Sequence, residues 1–473
     1  MFEIDRNHHQ PYYQQIMQDI IRGIEEGTLA PDDSLPAERK LATLYGVNRS
    51  TVGRALEELV SLGWIERIPG SKTIIANSRL ANRHTPHFQW SQLLFTQLTR
   101  EDPFVQELKS LQPHADSIDL YSGDLPLDFI QDFQIPSYSW ENVLSKQQQL
   151  ALSGYQPLKE SIRQQLKRQF DLSIPQDELL VTSGSTQGIS IIFDTLLQHG
   201  DCIATEDPSF LFALPWLASN QIQLIGIPMD HEGIEPNALE DCLKQGKVKL
   251  LYLNPDFQNP TTCQMSLARR QEIIALCQKY QVLIIEDDVF GELNFKQPLP
   301  RLKQLAPNQV IYLGSLSKIF SATIKIGWLC APKPLLQSFL QTKRDSERAT
   351  DIFPQLMATA ALSADDYTTK QQTLLKKLQQ RQTETFNILQ SFQHAWTVNA
   401  VAGGFYLYLT WKGQPLKRND WQLFLKNKLL IAPSFLYSKN KQAFRLNYAH
   451  LASQHQIAFS EKFAQITNEL SKF

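Results

Sequence analysis

The sequence contains little cysteine, no long apolar run and no excess of charge of one sign, and each lack excludes a class of protein. Five cysteines in 473 residues, odd in number and without a CxxC pair, argue against a disulfide framework or a thiolate zinc site. His8 and His9 have no acidic or thiol neighbour at ligand spacing, so we predict no metal site. No run approaches the roughly 18 apolar residues of a membrane span, and the first residues lack the layout of a signal peptide. We therefore expect a cytoplasmic protein with reduced thiols.

Charge is balanced over the whole chain and concentrated in one place. The 46 Lys and Arg residues face 48 Asp and Glu residues, which argues against coating of nucleic acid by the whole surface. With about 150 residues per domain, the length predicts roughly three folding units. Residues 37–54 carry Arg39, Lys40, Arg49 and Arg54 against a single acid. This short stretch is therefore the candidate for a nucleic-acid contact.

Residues 1–76 predict three helices followed by a β-hairpin. An isoleucine stripe predicts a helix over 13–26, and two shorter helices flank a turn at Gly46. Asn48 is the candidate N-cap of the third helix, which would place Arg49, Ser50 and Thr51 in a major groove. Periodicity alone fits equally well an ordinary three-helix bundle with solvated basic side chains.

The wording of this segment resembles the winged helix-turn-helix of the GntR superfamily of bacterial regulators. The resemblance covers residues 11–76 and rests on the runs LPAERKLA, GVNRSTV, RAL and LG. It implies binding to double-stranded operator DNA. The residues expected at that interface are Arg39, Asn48, Arg49, Ser50, Thr51, Arg54, the wing glycine Gly70, and Lys72 at the hairpin tip. Asn48 stands where Ser or Thr is commoner, a change that keeps both capping and hydrogen bonding.

Residues 77–112 are polar at first and then carry an aromatic and aliphatic cluster from Phe88 to Phe95, which predicts a linker that ends in a docking helix. Beyond them, short apolar runs alternate with helical stretches. We predict an α/β fold with a large domain at 113–334, built on a mainly parallel sheet, and a smaller α+β domain at 335–473. Sites in such sheets lie at the carboxyl ends of the strands.

Four polar motifs follow predicted strands: the loop 183–188, Asn259-Pro260-Thr261, Asp287, and Ser315-x-Ser-Lys318. Hydroxyls and N–H groups at a helix N-terminus can hold a phosphate. A desolvated lysine can form a Schiff base. Each motif alone is also explained as a helix cap, a surface acid or a solvated lysine. Their occurrence together, in this order, favours a common site.

That order resembles the fold type I pyridoxal 5'-phosphate enzymes of the aspartate aminotransferase group, over residues 115–473. The resemblance implies that Lys318 forms the Schiff base, Asp287 pairs with the ring nitrogen, Asn259 bonds the ring hydroxyl and Phe210 stacks on the ring. Four polar residues would hold the phosphate: Ser185, Thr186, Gln187 and Ser315. Arg445 would bind a substrate carboxylate, and the segment 121–128, which contains Gly123, would close over the site.

Three positions depart from that family pattern. Phe290 stands where a tyrosine usually bonds the ring oxygen, and Lys325 stands where an arginine usually grips the phosphate. Gln149 lies near the place of a tyrosine contributed by a neighbouring subunit. These departures predict weakened cofactor binding and, more strongly, weakened transamination.

The MocR subfamily of transcriptional regulators joins a GntR-type DNA-binding domain to an aminotransferase-like domain, and the chain resembles this subfamily from end to end. The resemblance implies a head-to-tail homodimer that senses pyridoxal phosphate, an amino acid or an amine. Two alternatives stay open at this point. One is a working aminotransferase with a tethered DNA-binding domain, and the other is a regulator whose second domain is a cofactor-free dimerisation scaffold.

Overall fold

The computed structural model describes two compact units, Met1–Arg100 and Glu101–Phe473. The described residues are 4, 10–25, 28–29, 33–62, 64–68, 72–75, 102–214, 217, 222–321, 323–346, 350–398, 400–439 and 442–472. The predicted linker cluster, Phe88 to Phe95, and the wing glycine Gly70 lie outside them. The predicted domain boundaries therefore stay predictions.

The first unit is a small three-helix domain with a β-sheet. Its helices are α1 (Tyr12–Glu25), α2 (Glu38–Tyr45) and α3 (Arg49–Ser61), and its strands are β1 (Ser34–Leu35), β2 (Ile65–Ile68) and β3 (Lys72–Ile75). The predicted helices and hairpin are thereby confirmed within one or two residues. The sheet has the order β1-β3-β2, and strand β1 was not predicted.

The isoleucine stripe forms the core of this unit. Ile16 and Ile20 of α1 are fully buried together with Leu41 of α2 and Val52 of α3. Gly46 ends α2 in the left-handed conformation, with φ of 64°, which lets the chain turn directly into α3. The prediction of three helices in this unit therefore holds, because the spacing of apolar residues and a single turn glycine determine where the helices form.

The second unit contains an eight-stranded sheet in the order β5-β12-β11-β10-β9-β6-β7-β8. The strands are β5 (Leu179–Thr182), β6 (Cys202–Asp207), β7 (Gln223–Asp230), β8 (Gly233–Ile234), β9 (Val248–Leu253), β10 (Leu283–Asp287), β11 (Val310–Ser315) and β12 (Gly327–Cys330). Pairing is parallel from β11 through β7, while β12 and β8 pair antiparallel with their neighbours. The predicted mainly parallel sheet is confirmed.

Helices cover this sheet and continue beyond it. They are α4 (Pro103–Leu111), α5 (Trp140–Gln148), α6 (Gln156–Phe170), α7 (Ser185–Leu196), α8 (Pro236–Leu243), α9 (Leu267–Lys279), α10 (Leu302–Leu305), α11 (Ser317–Phe320), α12 (Lys333–Ser346), α13 (Ile352–Leu362), α14 (Tyr367–Gln390), α15 (Gln422–Lys426) and α16 (Gln456–Leu470). Helix α4 ends the predicted linker and packs in this unit, with the Phe104 ring 5.5 Å from the Phe435 ring.

A four-stranded antiparallel sheet forms the centre of the smaller C-terminal part. Its order is β13-β14-β17-β16, with β13 at Trp396–Val398, β14 at Tyr406–Trp411, β16 at Ala432–Pro433 and β17 at Ala443–Asn447. A separate parallel pair joins β4 (Ile118–Asp119) to β15 (Leu429–Leu430). The chain after β4 is thereby held next to β17, far away in sequence.

The cysteines, the helix lengths and the metal-ligating side chains can also be described. All five cysteines are free thiols, and four of them are buried. Among the residues that the structure describes, no helix is long and apolar enough to cross a bilayer. The same residues include no group of three or more His, Cys, Asp or Glu side chains placed to hold a metal ion.

The sheet brings the predicted motifs to one edge. In β9, β10 and β11 the parallel register places Tyr252 beside Ile285, and Asp287 beside Leu313. The loops that follow these strands therefore leave the sheet side by side. Gly327 of the antiparallel strand β12 pairs with both Thr182 and Ser315, so it lies between two of the motifs.

We predict that Gly327→Ala destabilises the second unit. An added methyl carbon would lie 2.5 Å from the carbonyl carbon of Gly184 and 2.6 Å from the nitrogen of Ser185, and backbone atoms have little freedom to move. The expected loss in free energy of unfolding is about 1 to 3 kcal/mol, measured by urea denaturation. Gly53→Ala in helix α3 is the control, because the structure describes no atom within 4 Å of that methyl. An unchanged midpoint for Gly327→Ala would contradict the packing described here.

Candidate functional site

Lys318 lies at the mouth of the sheet, in the short helix α11 directly after β11. Its Nζ donates to the carbonyl oxygen of Gly123 at 2.8 Å and lies 3.6 Å from an Asp124 carboxylate oxygen. Removal from water lowers the pKa of Lys318, Asp124 raises it, and the nearby Arg445 lowers it again. The lowered pKa favours the neutral amine, the form that attacks a carbonyl carbon. Gly123, predicted at the effector site, is thus in contact with the predicted nucleophile.

Asp287 ends strand β10 and is almost completely buried. The Tyr252 hydroxyl donates to one carboxylate oxygen, and the Asn254 amide donates to the Asp287 carbonyl at 3.0 Å. Burial raises the pKa of Asp287 to about 6, and the bond from Tyr252 opposes that rise. The other carboxylate oxygen, Oδ1, has no hydrogen-bond partner among the described residues. A buried acceptor without a donor is costly, so this oxygen fits a ligand that brings an N–H group.

Arg445 lies on strand β17 with its guanidinium buried in the same site. It donates to the side-chain oxygen of Asn259 at 2.9 Å and to the carbonyl oxygen of Tyr121 at 2.9 Å. The Tyr406 ring lies 4.0 Å below its guanidinium carbon, a cation–π contact. Because Asn259 accepts through its oxygen, its amide nitrogen is the donor that it can offer to a ligand.

The predicted phosphate loop opens helix α7. Gly184 precedes the helix with φ of 83°, and Ser185 and Thr186 form its first turn. The Gln187 side-chain oxygen accepts from the Ser183 N–H at 2.7 Å, so this part of Gln187 closes the loop. N–H groups at the start of a helix attract an anion, which fits the predicted role of the loop.

Two other predicted phosphate residues differ in their surroundings. The Ser315 hydroxyl is buried and accepts from the Ser317 N–H at 3.2 Å, and its one proton can be donated either to the Ser317 hydroxyl at 3.2 Å or to the Ile326 carbonyl at 3.4 Å. Lys325 is exposed, two residues before β12. Its ammonium can reach an anion only as a flexible point charge, without the fork of an arginine.

Two phenylalanines, Phe210 and Phe290, are predicted to lie beside the cofactor ring. The Phe210 N–H donates to the Asn259 carbonyl at 3.0 Å, which fixes Phe210 beside that residue. Phe290 is buried, and its ring packs edge-on against Tyr406 at 5.6 Å, with Lys318 Nζ 5.9 Å from the ring centre. Phe290 thus lies at the site without a hydroxyl.

The structure also brings to the site residues that sequence reasoning missed: Tyr252, Tyr406 and Asn447. The Tyr406 hydroxyl donates to the Gly123 carbonyl at 3.1 Å, so Tyr406 and Lys318 share one acceptor. Tyr252 at the end of a predicted strand carried a usable signal. Tyr406 and Asn447 did not, because their roles depend on contacts between distant segments.

The predicted DNA-binding side chains lie mainly on the surface of the first unit. Arg39 and Ser50 are exposed, Thr51 is partly buried, and Lys72 is exposed at the start of β3. Arg54 is exposed, but its guanidinium lies 4.0 Å from the Tyr13 ring and therefore contacts helix α1.

Glu38 connects the two elements expected to touch DNA. Its carboxylate bonds Arg49 of α3 at 3.2 Å and Arg67 of β2 at 3.0 Å. Asn48 occupies the N-cap position of α3 as predicted, but its side chain makes no capping bond to the described helix. The expected cap is therefore wrong in detail, and the amide of Asn48 is not used to begin the helix.

We predict that Asp287→Asn stabilises the ligand-free protein above pH 6. An Asp with a pKa of about 6 in the folded state, against an ordinary value near 3.9, binds its proton more tightly when folded. The folded state is therefore favoured at low pH and loses that advantage as the pH rises through about 6. The neutral amide should raise the free energy of unfolding by about 3 kcal/mol at pH 8 and about half of that at pH 5.

Urea unfolding at both pH values measures this effect, and Asp256→Asn is the matched control. Asp256 is equally buried, but it pairs with Arg270 at 2.8 Å and with Arg301 at 3.2 Å and its pKa is lowered, so its neutralisation should destabilise the fold. A loss of stability for Asp287→Asn at pH 8 would show that its Oδ1 atom already has a partner.

Comparison with known proteins agrees with this geometry. Residues 115–458 match the family described as aminotransferase class I and II, and residues 12–75 match the bacterial regulatory proteins of the gntR family. The HTH-type transcriptional regulator YisV of Bacillus subtilis is 32% identical over 93% of this chain and 92% of its own length. The HTH-type transcriptional regulator NorG of Staphylococcus aureus is 26% identical over 88% of this chain and 95% of its own length.

Solved structures extend the likeness to the fold of the second unit. Kynurenine aminotransferase of Pyrococcus horikoshii has a TM-score of 0.71 at 24% identity and covers 81% of this chain and 97% of its own. The multiple substrate aminotransferase of Thermococcus profundus has a TM-score of 0.70 at 23% identity, with 81% and 98% covered. The chain therefore belongs to the transcriptional regulators that join a GntR-family DNA-binding domain to an aminotransferase class I and II domain, the organisation of the MocR subfamily.

Proposed function

We propose that this regulator binds pyridoxal 5'-phosphate at the Lys318 and Asp287 site and that the cofactor, or an amino compound that reacts with it, controls its binding to operator DNA. The observation that carries the proposal is the unpartnered Asp287 oxygen, buried in the same site as a lysine of lowered pKa. A protonated ring nitrogen would supply the hydrogen-bond donor that this oxygen lacks, and a neutral lysine amine condenses readily with an aldehyde.

Each residue of the site would contact a different part of the cofactor. Asp287 would hold the ring nitrogen, the Asn259 amide the ring hydroxyl, and Phe210 the ring face. The phosphate would meet the residues at the start of α7 and beside β12: Ser185, Thr186, Gln187, Ser315 and Lys325. When bound, the cofactor supplies an aldehyde that condenses reversibly with amines, and Lys318 is the amine that the chain itself provides.

Arg445 suits an effector that carries a carboxylate. Its guanidinium is held in place by the Tyr406 ring and presents its two terminal nitrogens to neutral oxygens. A carboxylate would replace those neutral acceptors with charge-assisted bonds, which are shorter and about twice as strong. Gly123 lies where such a ligand would enter, next to the Lys318 amine.

Regulation fits the site better than rapid turnover. Phe290 cannot bond a ring oxygen, and the exposed Lys325 ammonium holds an anion less rigidly than an arginine fork would. Both changes weaken control of the ring during chemistry, whereas binding still has Asp287, Asn259 and Lys318. A sensor needs only a ligand that binds two conformations of the protein unequally.

Exposed apolar side chains support the proposal of a head-to-tail homodimer. Leu127 is 87% exposed, Ile135 71%, Trp140 65% and Phe353 51%, and the rings of Trp140 and Phe353 stack at 6.3 Å. An exposed pair of stacked aromatic rings, such as Trp140 and Phe353, is typical of an interface. A second copy of the chain is the partner that we propose for this surface.

We expect Lys318→Ala to bind DNA normally and to lose its response to ligand. Wild-type protein titrated with pyridoxal phosphate should gain an absorbance band in the visible that shifts with one class of amine, while Lys318→Ala should gain none. Lys325→Ala is the matched lysine control and should keep the band at reduced affinity. Keto acid formed at about one turnover per second or faster would instead identify an active aminotransferase. No band at saturating cofactor would identify a dimerisation scaffold.

We expect Arg49→Ala to weaken DNA binding by about 1 to 3 kcal/mol if it meets a base edge, or with a salt slope lower by about one if it meets a phosphate. The probe is a duplex selected by the wild-type protein from random sequence, followed by fluorescence anisotropy at several salt concentrations. Arg22→Ala is the matched control, since Arg22 is an exposed arginine of α1 outside the predicted interface. Equal losses for the two variants would contradict the assignment of α3 to the groove.

A further inference from the structure

Residues Leu120–Asp124, here named the cover segment, run past the site with every carbonyl oxygen bonded. Asn447 of β17 donates its backbone N–H to the Leu120 carbonyl at 2.8 Å. Its side-chain amide donates to the carbonyls of Ser122 at 2.9 Å and Asp124 at 2.8 Å. The His450 ring nitrogen lies 3.0 Å from the same Asp124 oxygen. One asparagine thus holds the even-numbered carbonyls of the cover segment.

The odd-numbered carbonyls of the cover segment point to the site. Arg445 donates to the Tyr121 carbonyl at 2.9 Å, and Lys318 donates to the Gly123 carbonyl at 2.8 Å. The two sets of carbonyls belong to the same five residues, so the bonds from Asn447 to one set restrict where the other set can lie. The two cations proposed to meet the ligand are therefore bound to the chain's own backbone.

The orientation of the Asn447 amide is itself fixed. Its side-chain oxygen accepts from the Ala449 N–H at 3.1 Å, so its NH₂ group must face the cover segment. Asn447 is fully buried, and none of its bonds goes to Lys318, Arg445 or Asp287. The hydrogen bonds of its side-chain amide reach those residues only through the cover segment.

We propose that Asn447 is a positioning residue that holds the cover segment over Arg445 and Lys318, so that a ligand must displace the carbonyls of Tyr121 and Gly123. The existence of the cover is independent of the proposed function, while the identity of the displacing ligand rests on it. A carboxylate displaces the Tyr121 carbonyl because a charged acceptor binds a guanidinium more strongly than a neutral one. An amine without a carboxylate leaves Arg445 on Tyr121 and half of the cover in place.

The test measures how accessible Lys318 is in the full-length, ligand-free protein. Trinitrobenzenesulfonate modifies neutral amines, and mass spectrometry of the Lys318 peptide gives the rate of modification at that residue alone. The rate is measured at increasing pH until it reaches a plateau, at which the amine is fully deprotonated. Asn447→Ala should raise this plateau rate about tenfold, because the cover segment can then open without breaking the hydrogen bonds of the Asn447 side chain. His450→Ala should raise the rate less, since it removes one bond. His455→Ala is the matched control and should leave the rate unchanged.

A second readout separates this proposal from the proposed function. Stopped-flow absorbance should show faster association of pyridoxal phosphate with Asn447→Ala than with wild type. Wild-type rates of Lys318 modification in both folded variants would overturn the cover. If Asn447→Ala fails to fold, His450→Ala alone decides the outcome. Absence of any cofactor band in wild type would refute the proposed function, while the modification rates would still decide whether Asn447 holds the cover segment.

Discussion

The site depends on the burial of the Asp287 carboxylate at the end of a central strand. A charge in that position is costly unless hydrogen bonds compensate it, and here the sheet supplies only part of the compensation. Tyr252 reaches one oxygen because β9 pairs with β10 in parallel register, and Asn254 holds the backbone. The other oxygen is left without a donor among the described residues. The missing hydrogen bond destabilises the ligand-free protein. A ligand that donates to this oxygen therefore binds more tightly.

A second buried carboxyl group, that of Glu206, lies close enough to Asp287 to interact with it electrostatically. Glu206 is fully buried two strands away, accepts from the Asn254 N–H, and has a pKa raised to about 8 by burial, against the bonds from Asn254 and Gln258. A proton on Glu206 at neutral pH spares Asp287 a second buried anion. The two carboxyls therefore divide their tasks, one neutral and structural, the other poised to receive a cation.

Sequence patterns predicted the large sheet because strands buried on both faces are continuous apolar runs, and the motifs at their ends followed from parallel topology. Lys318 and Asp287 came from this reasoning. Strand β1, with only two residues, has no periodicity to detect. The roles of Asn447 and Tyr406 could not be predicted, because they arise where β14 and β17 meet a segment more than 280 residues earlier, as in the bond from Tyr406 to Gly123.

The ion pairs of Glu38 have a consequence for the search of a genome. Its carboxylate bonds an arginine of α3 and another of β2, so a DNA phosphate competes with an internal anion for both arginines. Such an internal competitor lowers the affinity for arbitrary DNA, where phosphate contacts supply nearly all of the binding energy. At an operator, base contacts add to the phosphate contacts and compensate the exchange. Less of the protein is then bound at the many competing sites of a genome. The ratio of specific to nonspecific affinity, which governs occupancy of the operator, therefore rises.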